Sequence, residues 1–99
     1  MTSGEEMNQP SPGPDSVPKM PLDLRIRRTK DSLLLMYGES LMELSESAAF
    51  IVREFEGRSS LADIARRLVD AYGIPFDEAL EDVTSVAESL QSHAMVDYA

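Results

Sequence analysis

One histidine, no cysteine and a scatter of carboxylates make up the reactive side chains of this chain. General acid–base work needs an imidazole aimed at a nucleophile or a water. His93 stands alone near a helix end, with no thiol to join it. The acidic pairs Asp77-Glu78 and Glu81-Asp82 have no His or Cys companion at metal-ligand spacing. They read instead as a solvated helix start whose charge complements the positive end of the helix dipole. The five glycines, at 4, 13, 38, 57 and 73, are too scattered to cradle a phosphate. No catalytic, cofactor-binding or metal-binding residue is therefore expected, and the chain is expected not to be an enzyme.

Asp31-Ser32-Leu33 resembles the phosphopantetheine site of acyl carrier proteins, which are also small and acidic. In those carriers the Ser opens a helix that follows an earlier long helix. Here Ser32 opens an apolar, strand-like run and a strand-like segment precedes it. An acyl-carrier-type protein is thus a lesser alternative.

The elements that must position any site come from hydrophobic period. Residues 1–21 hold five of the six prolines and little apolar bulk. Such a segment buries too little surface to offset its ordering entropy, so residues 1–21 are expected to be a disordered proline-rich arm, with the folded domain over 22–99. Leu22–Arg27 alternates apolar and polar, the period of a half-buried strand. Ser32–Tyr37 is apolar on both faces, which suits a central strand. Gly38-Glu39 makes a turn, and Ser40–Leu44 a third strand. The period then becomes helical. Ser45 caps a helix predicted over Glu46–Phe55, with Gly57 to end it. Ser60-Leu61-Ala62-Asp63 is a capping box with Asp in place of Glu or Gln. It opens a helix carrying Leu61, Ile64, Ala65, Leu68 and Tyr72 inward, stopped by Gly73. Pro75 suits the first turn of a third helix. The inward positions of that helix are Phe76, Ala79, Leu80, Val83, Val86, Ala87 and Leu90. Met95–Tyr98 forms a short final strand or a docked tail. The fold class is α+β, a three-stranded antiparallel meander followed by three helices.

Charge excludes some functions. The chain has 99 residues, 18 acidic and 9 basic, for a net charge of −9. That argues against a phosphate backbone as main partner. The excess is local: residues 22–37 carry four basic and two acidic side chains, while 38–99 carry four basic and thirteen acidic. The longest apolar run, Leu33–Tyr37, is far too short to span a membrane, and no secretory signal pattern opens the chain. The absence of Cys fits a reducing compartment, and the expected location is cytoplasmic.

The two edges of the meander differ. Pro21 and the charges Asp23, Arg25, Arg27 and Arg28 guard the first strand, as proteins guard edges against unwanted pairing. The third strand, Ser40-Leu41-Met42-Glu43-Leu44, has one charge and no Pro. Two readings stand: an edge that takes an added strand from a partner peptide, or an ordinary edge covered by a helix or by the C-terminal tail. A three-helix unit beside a small sheet is also similar to winged-helix DNA-binding proteins, so a winged-helix regulator is the main alternative. Arg66-Arg67 is its only basic pair on the helices.

Leu35-Met36-Tyr37-Gly38-Glu39-Ser40-Leu41-Met42-Glu43-Leu44-Ser45-Glu46-Ser47-Ala48-Ala49 resembles the PqqD family. The shared pattern is an apolar strand, a turn, a second apolar strand ending in Leu, and a cap with small residues opening a helix. Glu56-Gly57, Ser60–Ile64, Asp70-Ala71-Tyr72-Gly73 and Glu81-Asp82-Val83 match later landmarks in the same order. The resemblance covers residues 22–98. It departs at Ala94-Met95-Val96, where many members have a Gly before the last apolar pair. Members are RiPP recognition elements, domains that serve ribosomally made, post-translationally modified peptides. The resemblance implies a winged-helix-like fold, no catalysis and no cofactor. It implies binding of a precursor's leader peptide, added as a strand to the third strand beside a helical groove, and delivery to a modifying enzyme such as a radical-SAM enzyme, a leader peptidase or a cyclase. It implies neither nucleic acid nor membrane as partner. Ser40, Leu41, Met42, Glu43 and Leu44 are then the expected backbone ladder. Val83, Val86, Ala87 and Leu90 are the groove candidates, with core packing as the competing role for each.

Overall fold

The computed structural model describes residues 12–99. In chain order it contains β1 (Pro18–Lys19), β2 (Arg25–Arg28), β3 (Leu33–Tyr37), β4 (Ser40–Leu44), α1 (Glu46–Val52), α2 (Leu61–Tyr72), α3 (Phe76–Ser92) and β5 (Asp97–Tyr98). Strands β2-β3-β4 form the antiparallel sheet and three helices follow it, as the periodicity predicts. A second, two-stranded sheet pairs β1 with β5.

The main sheet has a core face and an outer face. Leu33 pairs with Leu44 and Leu35 with Met42 across β3 and β4, which puts all four on one face. Leu33, Leu35 and Leu44 are buried there against the helices. The outer face carries Leu34, Met36, Leu41 and Glu43. Beneath the core face, Ile51 and Val52 of α1, Leu61, Ile64 and Leu68 of α2, and Ala79, Val83, Ala87 and Leu90 of α3 complete a single core. Burying side chains of this size stabilises the fold by about 1.5–3 kcal/mol each.

Helix α2 begins as its sequence predicts. The Ser60 hydroxyl accepts from the Asp63 N–H at 3.1 Å and the Asp63 carboxylate accepts from the Ser60 N–H at 3.3 Å, a complete capping box. Gly73 ends α2 in the left-handed region. Pro75, expected in the first turn of α3, sits one position earlier as its N-cap, in extended conformation.

Four expectations need correction. Of the arm expected to be disordered, residues 1–11 lie outside the described residues, but 12–21 are placed against the domain. Leu61 N–H donates to the Ser16 carbonyl at 2.9 Å and Ala62 N–H to the Pro14 carbonyl at 3.0 Å. The segment thereby satisfies two donors that every helix start leaves unpaired, and Pro18 is fully buried. Composition misses this because the gain comes from backbone groups of α2 and not from apolar bulk.

The first meander strand covers Arg25–Arg28, and Leu22 sits in a preceding turn. All four strand residues are exposed. Ile26 faces the core side opposite Leu35, yet it is half exposed at this edge.

Helix α1 stops at Val52, short of the predicted Phe55. The chain leaves the helix so that 55–57 can meet the N-terminal segment: Phe55 carbonyl accepts from Met20 N–H at 3.3 Å and Gly57 N–H donates to Pro18 carbonyl at 2.9 Å. Phe55 still enters the core.

Tyr72 and Phe76, both predicted inward, are exposed. Tyr72 meets Phe50 edge-to-face at 5.6 Å, and Arg66 lies 5.6 Å over the Phe76 ring. The final segment, expected as a short strand or a docked tail, forms the strand Asp97–Tyr98, which pairs with β1.

Candidate functional site

Gly38 and Glu39 form a two-residue turn between β3 and β4, with Gly38 at φ +59°. A type II′ turn takes Gly at that first position. Tyr37 and Ser40 flank the turn and are paired, so they close the ladder as its first hydrogen-bonded pair. Antiparallel strands alternate hydrogen-bonded and open pairs. Leu35–Met42 and Leu33–Leu44 are therefore the next bonded pairs. Ser40, Met42 and Leu44 turn their N–H and C=O groups toward β3. Leu41 and Glu43 turn theirs the other way, to the open side of β4.

Nothing pairs with that side among the described residues, since β4 is the last strand of its sheet. The C-terminal tail, one of the two covers considered for it, is held by β1 instead.

Beside the open edge runs a groove of about 270 Å³ between β4 and α3. Met42, Glu43 and Leu44 form one wall, and Ser85, Val86, Ser89 and Leu90 the other, with Ala48 at one end. Of the third-helix candidates, Val86 is half-buried and lines the groove. Val83 and Ala87 are fully buried core residues and do not line it. Leu90 is fully buried and also touches the groove. Leu41 projects from the outer face, 61% exposed, so it flanks the edge and does not fill the groove. Ala48, Ser85 and Ser89 were absent from the expected set. Ser85 and Ser89, one helical turn apart beside Val86, are the signal that could have found them: small polar side chains adjoin an apolar stripe and leave room.

No cluster of metal-ligating side chains assembles among the described residues. Ser32 lies in the β2–β3 connection and not at a helix start, and its hydroxyl donates to Glu43 Oε2 at 2.8 Å. That placement contradicts the acyl-carrier reading. Arg66 pairs with Asp63 at 2.9 Å and Arg67 with Glu54 at 2.6 Å, so the basic pair on which a DNA-binding face depended is matched by carboxylates. His93 sits at the C-cap of α3, its Nδ1 3.0 Å from the Ser89 carbonyl. Burial raises the Tyr98 phenol above its ordinary value, and the nearby Glu88 charge adds to the effect. No helix among the described residues is long and apolar enough to cross a membrane.

Residues 32–96 match the family model described as coenzyme PQQ synthesis protein D (PqqD). A "PqqA binding protein" of Xanthomonas oryzae pv. oryzae is 29% identical over 84 residues, covering 83% of this chain and 91% of the relative. A protein of the same description from Xanthomonas campestris pv. campestris is 26% identical over the same shares. The solution structure of the PqqD truncation of Methylobacterium extorquens PqqCD, described as a functional and stand-alone RiPP recognition element, superposes with a TM-score of 0.77 at 19% identity. It covers 87% of this chain and 94% of that one. Lasso peptide synthetase B1 complexed with the leader peptide superposes with a TM-score of 0.72 at 23% identity, over 82% and 98% of the two chains. At these identities the two structures establish a shared fold.

Proposed function

The chain belongs to the PqqD family, and from that premise we propose that it is a peptide-binding adaptor for RiPP biosynthesis. It holds the leader of a ribosomally made precursor by strand addition at β4 and delivers it to a modifying enzyme. The observation that carries this reading is the open side of Leu41 and Glu43 lying directly beside the Met42–Val86 groove. The relatives' description as PqqA-binding proteins and the leader bound to the lasso peptide synthetase support it.

A strand laid along β4 forms up to about four hydrogen bonds at these two residues, each worth about 0.5–1.5 kcal/mol net. Its alternate side chains drop into the groove. Two apolar ones add about 1.5–3 kcal/mol each, against a few kcal/mol for ordering the peptide. The balance reaches a micromolar dissociation constant, about −8 kcal/mol. The adaptor needs no reactive side chain, and the enzyme it serves (a radical-SAM enzyme, a leader peptidase or a cyclase) supplies the chemistry. It works in the cytoplasm, where precursor and enzyme are made.

Calorimetric titration of the full chain with the leader half of its precursor tests this. Saturable one-to-one binding, absent for the precursor's core half, is expected. Binding of duplex DNA with no response to the leader would overturn the reading in favour of a winged-helix regulator.

A further inference from the structure

Both walls of the groove carry acidic residues and no basic one, and the cations of the sheet's outer face, Arg25 and Arg27, stand on β2, with β3 between them and β4. Helix α3 carries Asp77, Glu78, Glu81, Asp82 and Glu88 and no basic residue. Strand β4, the opposite wall, carries Glu43 and no basic residue. Glu78, Asp82, Val86 and Ser89 are spaced at i, i+4, i+8 and i+11, so they share one stripe of α3. The stripe that walls the groove at Val86 and Ser89 therefore continues toward the helix start as Asp82 and then Glu78, both exposed. Neither makes an ion pair or hydrogen bond among the described residues.

The helix dipole accounts for acids in the first turn of α3, because its effect fades beyond that turn. It accounts for Asp77 and Glu78. It does not account for Asp82, which the sequence groups with the helix start but which lies a turn further on, and Glu43 on the sheet keeps its charge while accepting from the Ser32 hydroxyl. The cations nearest in sequence to α3, Arg66 and Arg67, are already paired.

Resting on the reading of β4 as the docking edge, we propose that the peptide this groove takes is basic: apolar at the alternate positions that point into the groove, and Lys- or Arg-bearing at the positions between and just beyond it. The alternation follows from the ladder. A residue placed opposite Met42 or Leu44 shares their face and enters the groove, whereas one opposite Leu41 or Glu43 emerges on the outer face beside the Glu43 carboxylate. A peptide that overruns the groove along α3 passes Asp82 and Glu78. Two or three exposed charge pairs of this kind change affinity by about tenfold, and mostly through association rate.

The test titrates the full chain with three synthetic peptides that share Val or Leu at every second position and carry Lys, Thr or Glu between. The expected order at low salt is Lys, then Thr, then Glu, with about tenfold between the first two and a difference that shrinks near about 0.5 M salt as screening shortens its reach. The Glu78→Gln/Asp82→Asn variant is expected to bring the Lys-to-Thr ratio toward one. Val86→Asp, which adds a carboxylate but sets it where the peptide's Val or Leu side chains must pack, is expected to abolish binding of the Lys peptide, because burying that ion without a partner costs more than the added charge contributes. Equal affinity for the Lys and Thr peptides at low salt overturns the charge inference and leaves the groove reading standing. Binding of the Lys peptide that survives Val86→Asp is adhesion outside the groove and also overturns the inference. Failure of all three peptides to bind overturns the groove reading itself.

Discussion

Met42 faces Leu35 across the ladder as a hydrogen-bonded pair, and this one pairing settles which way its chain neighbours point. The Met42 N–H and C=O are spent on β3, so those of Leu41 and Glu43 are the groups on offer at the edge. Proline separates the two roles, because it deletes one donor without adding charge. Leu41→Pro is expected to leave the domain folded, since no ladder bond is lost at an edge position, and to weaken leader binding about tenfold. Met42→Pro is expected to destabilise the domain by about 1–3 kcal/mol by leaving a β3 carbonyl without its donor. Thermal denaturation and leader titration of both variants check this. Equal leader affinity in folded Leu41→Pro and wild type would place the docking edge elsewhere.

Val83 and Val86 are a single helical turn apart on α3, yet only Val86 lines the groove. Val83→Ala removes fully buried methyl groups and is expected to cost about 2 kcal/mol of stability, with leader affinity unchanged at temperatures where the variant is folded. Val86→Asp is expected to lose leader binding while shifting stability by less than about 1.5 kcal/mol, because the side chain is half-buried at an open groove. Chemical denaturation paired with leader titration separates them.

This pair also marks how far periodicity reaches. The spacing of Val83, Val86, Ala87 and Leu90 identifies an apolar stripe, and the stripe is real. A stripe wider than the core it covers must leave one margin exposed, and nothing in a helical period says which margin. That depends on where β4 lies, and so on tertiary packing. The meander, the α2 capping box and the Gly73 stop were legible because each rests on neighbours within a few residues. The ordered stretch 12–21 was not, because its stabilising partners, Leu61, Ala62, Phe55 and Gly57, lie some forty residues away. The exposure of Ile26 has a related cause: alternation identifies the face a side chain takes, but not whether any helix extends far enough to cover it.

The N-terminal stretch makes its own prediction. A chain beginning at Met20 loses the Pro14 and Ser16 carbonyls that cap α2, the β1–β5 pairing and the buried Pro18. Losing two caps costs about 0.5–2 kcal/mol each, so a loss of about 2–4 kcal/mol is expected. Hydrogen exchange gives the sharper readout. The amides of Leu61 and Ala62, protected in the full chain, should exchange much faster in the truncated one, while Asp63, capped by Ser60, keeps more of its protection.

Ala94 ends α3 in a conformation that an L-residue adopts at a cost. Its φ is +58°. Its N–H donates to the Gln91 carbonyl at 3.0 Å, and Met95 N–H donates to the Leu90 carbonyl at 2.8 Å. These are the two bonds of a Schellman motif, in which this position is normally Gly. The motif is kept because it turns Met95 and Val96 into the core and aims β5 at β1. A left-handed conformation costs an L-residue about 1–2 kcal/mol, and Gly gives part of that back through its greater unfolded-state entropy. Ala94 is exposed, so the methyl it would lose contributes little packing. Ala94→Gly is therefore expected to stabilise the domain by about 0.5–1 kcal/mol. That corresponds to a rise in Tm of about 4 °C for a domain of this size. Leader affinity should not change, because Ala94 lies outside the groove. A Tm that falls in Ala94→Gly would show that the left-handed turn is not how α3 ends.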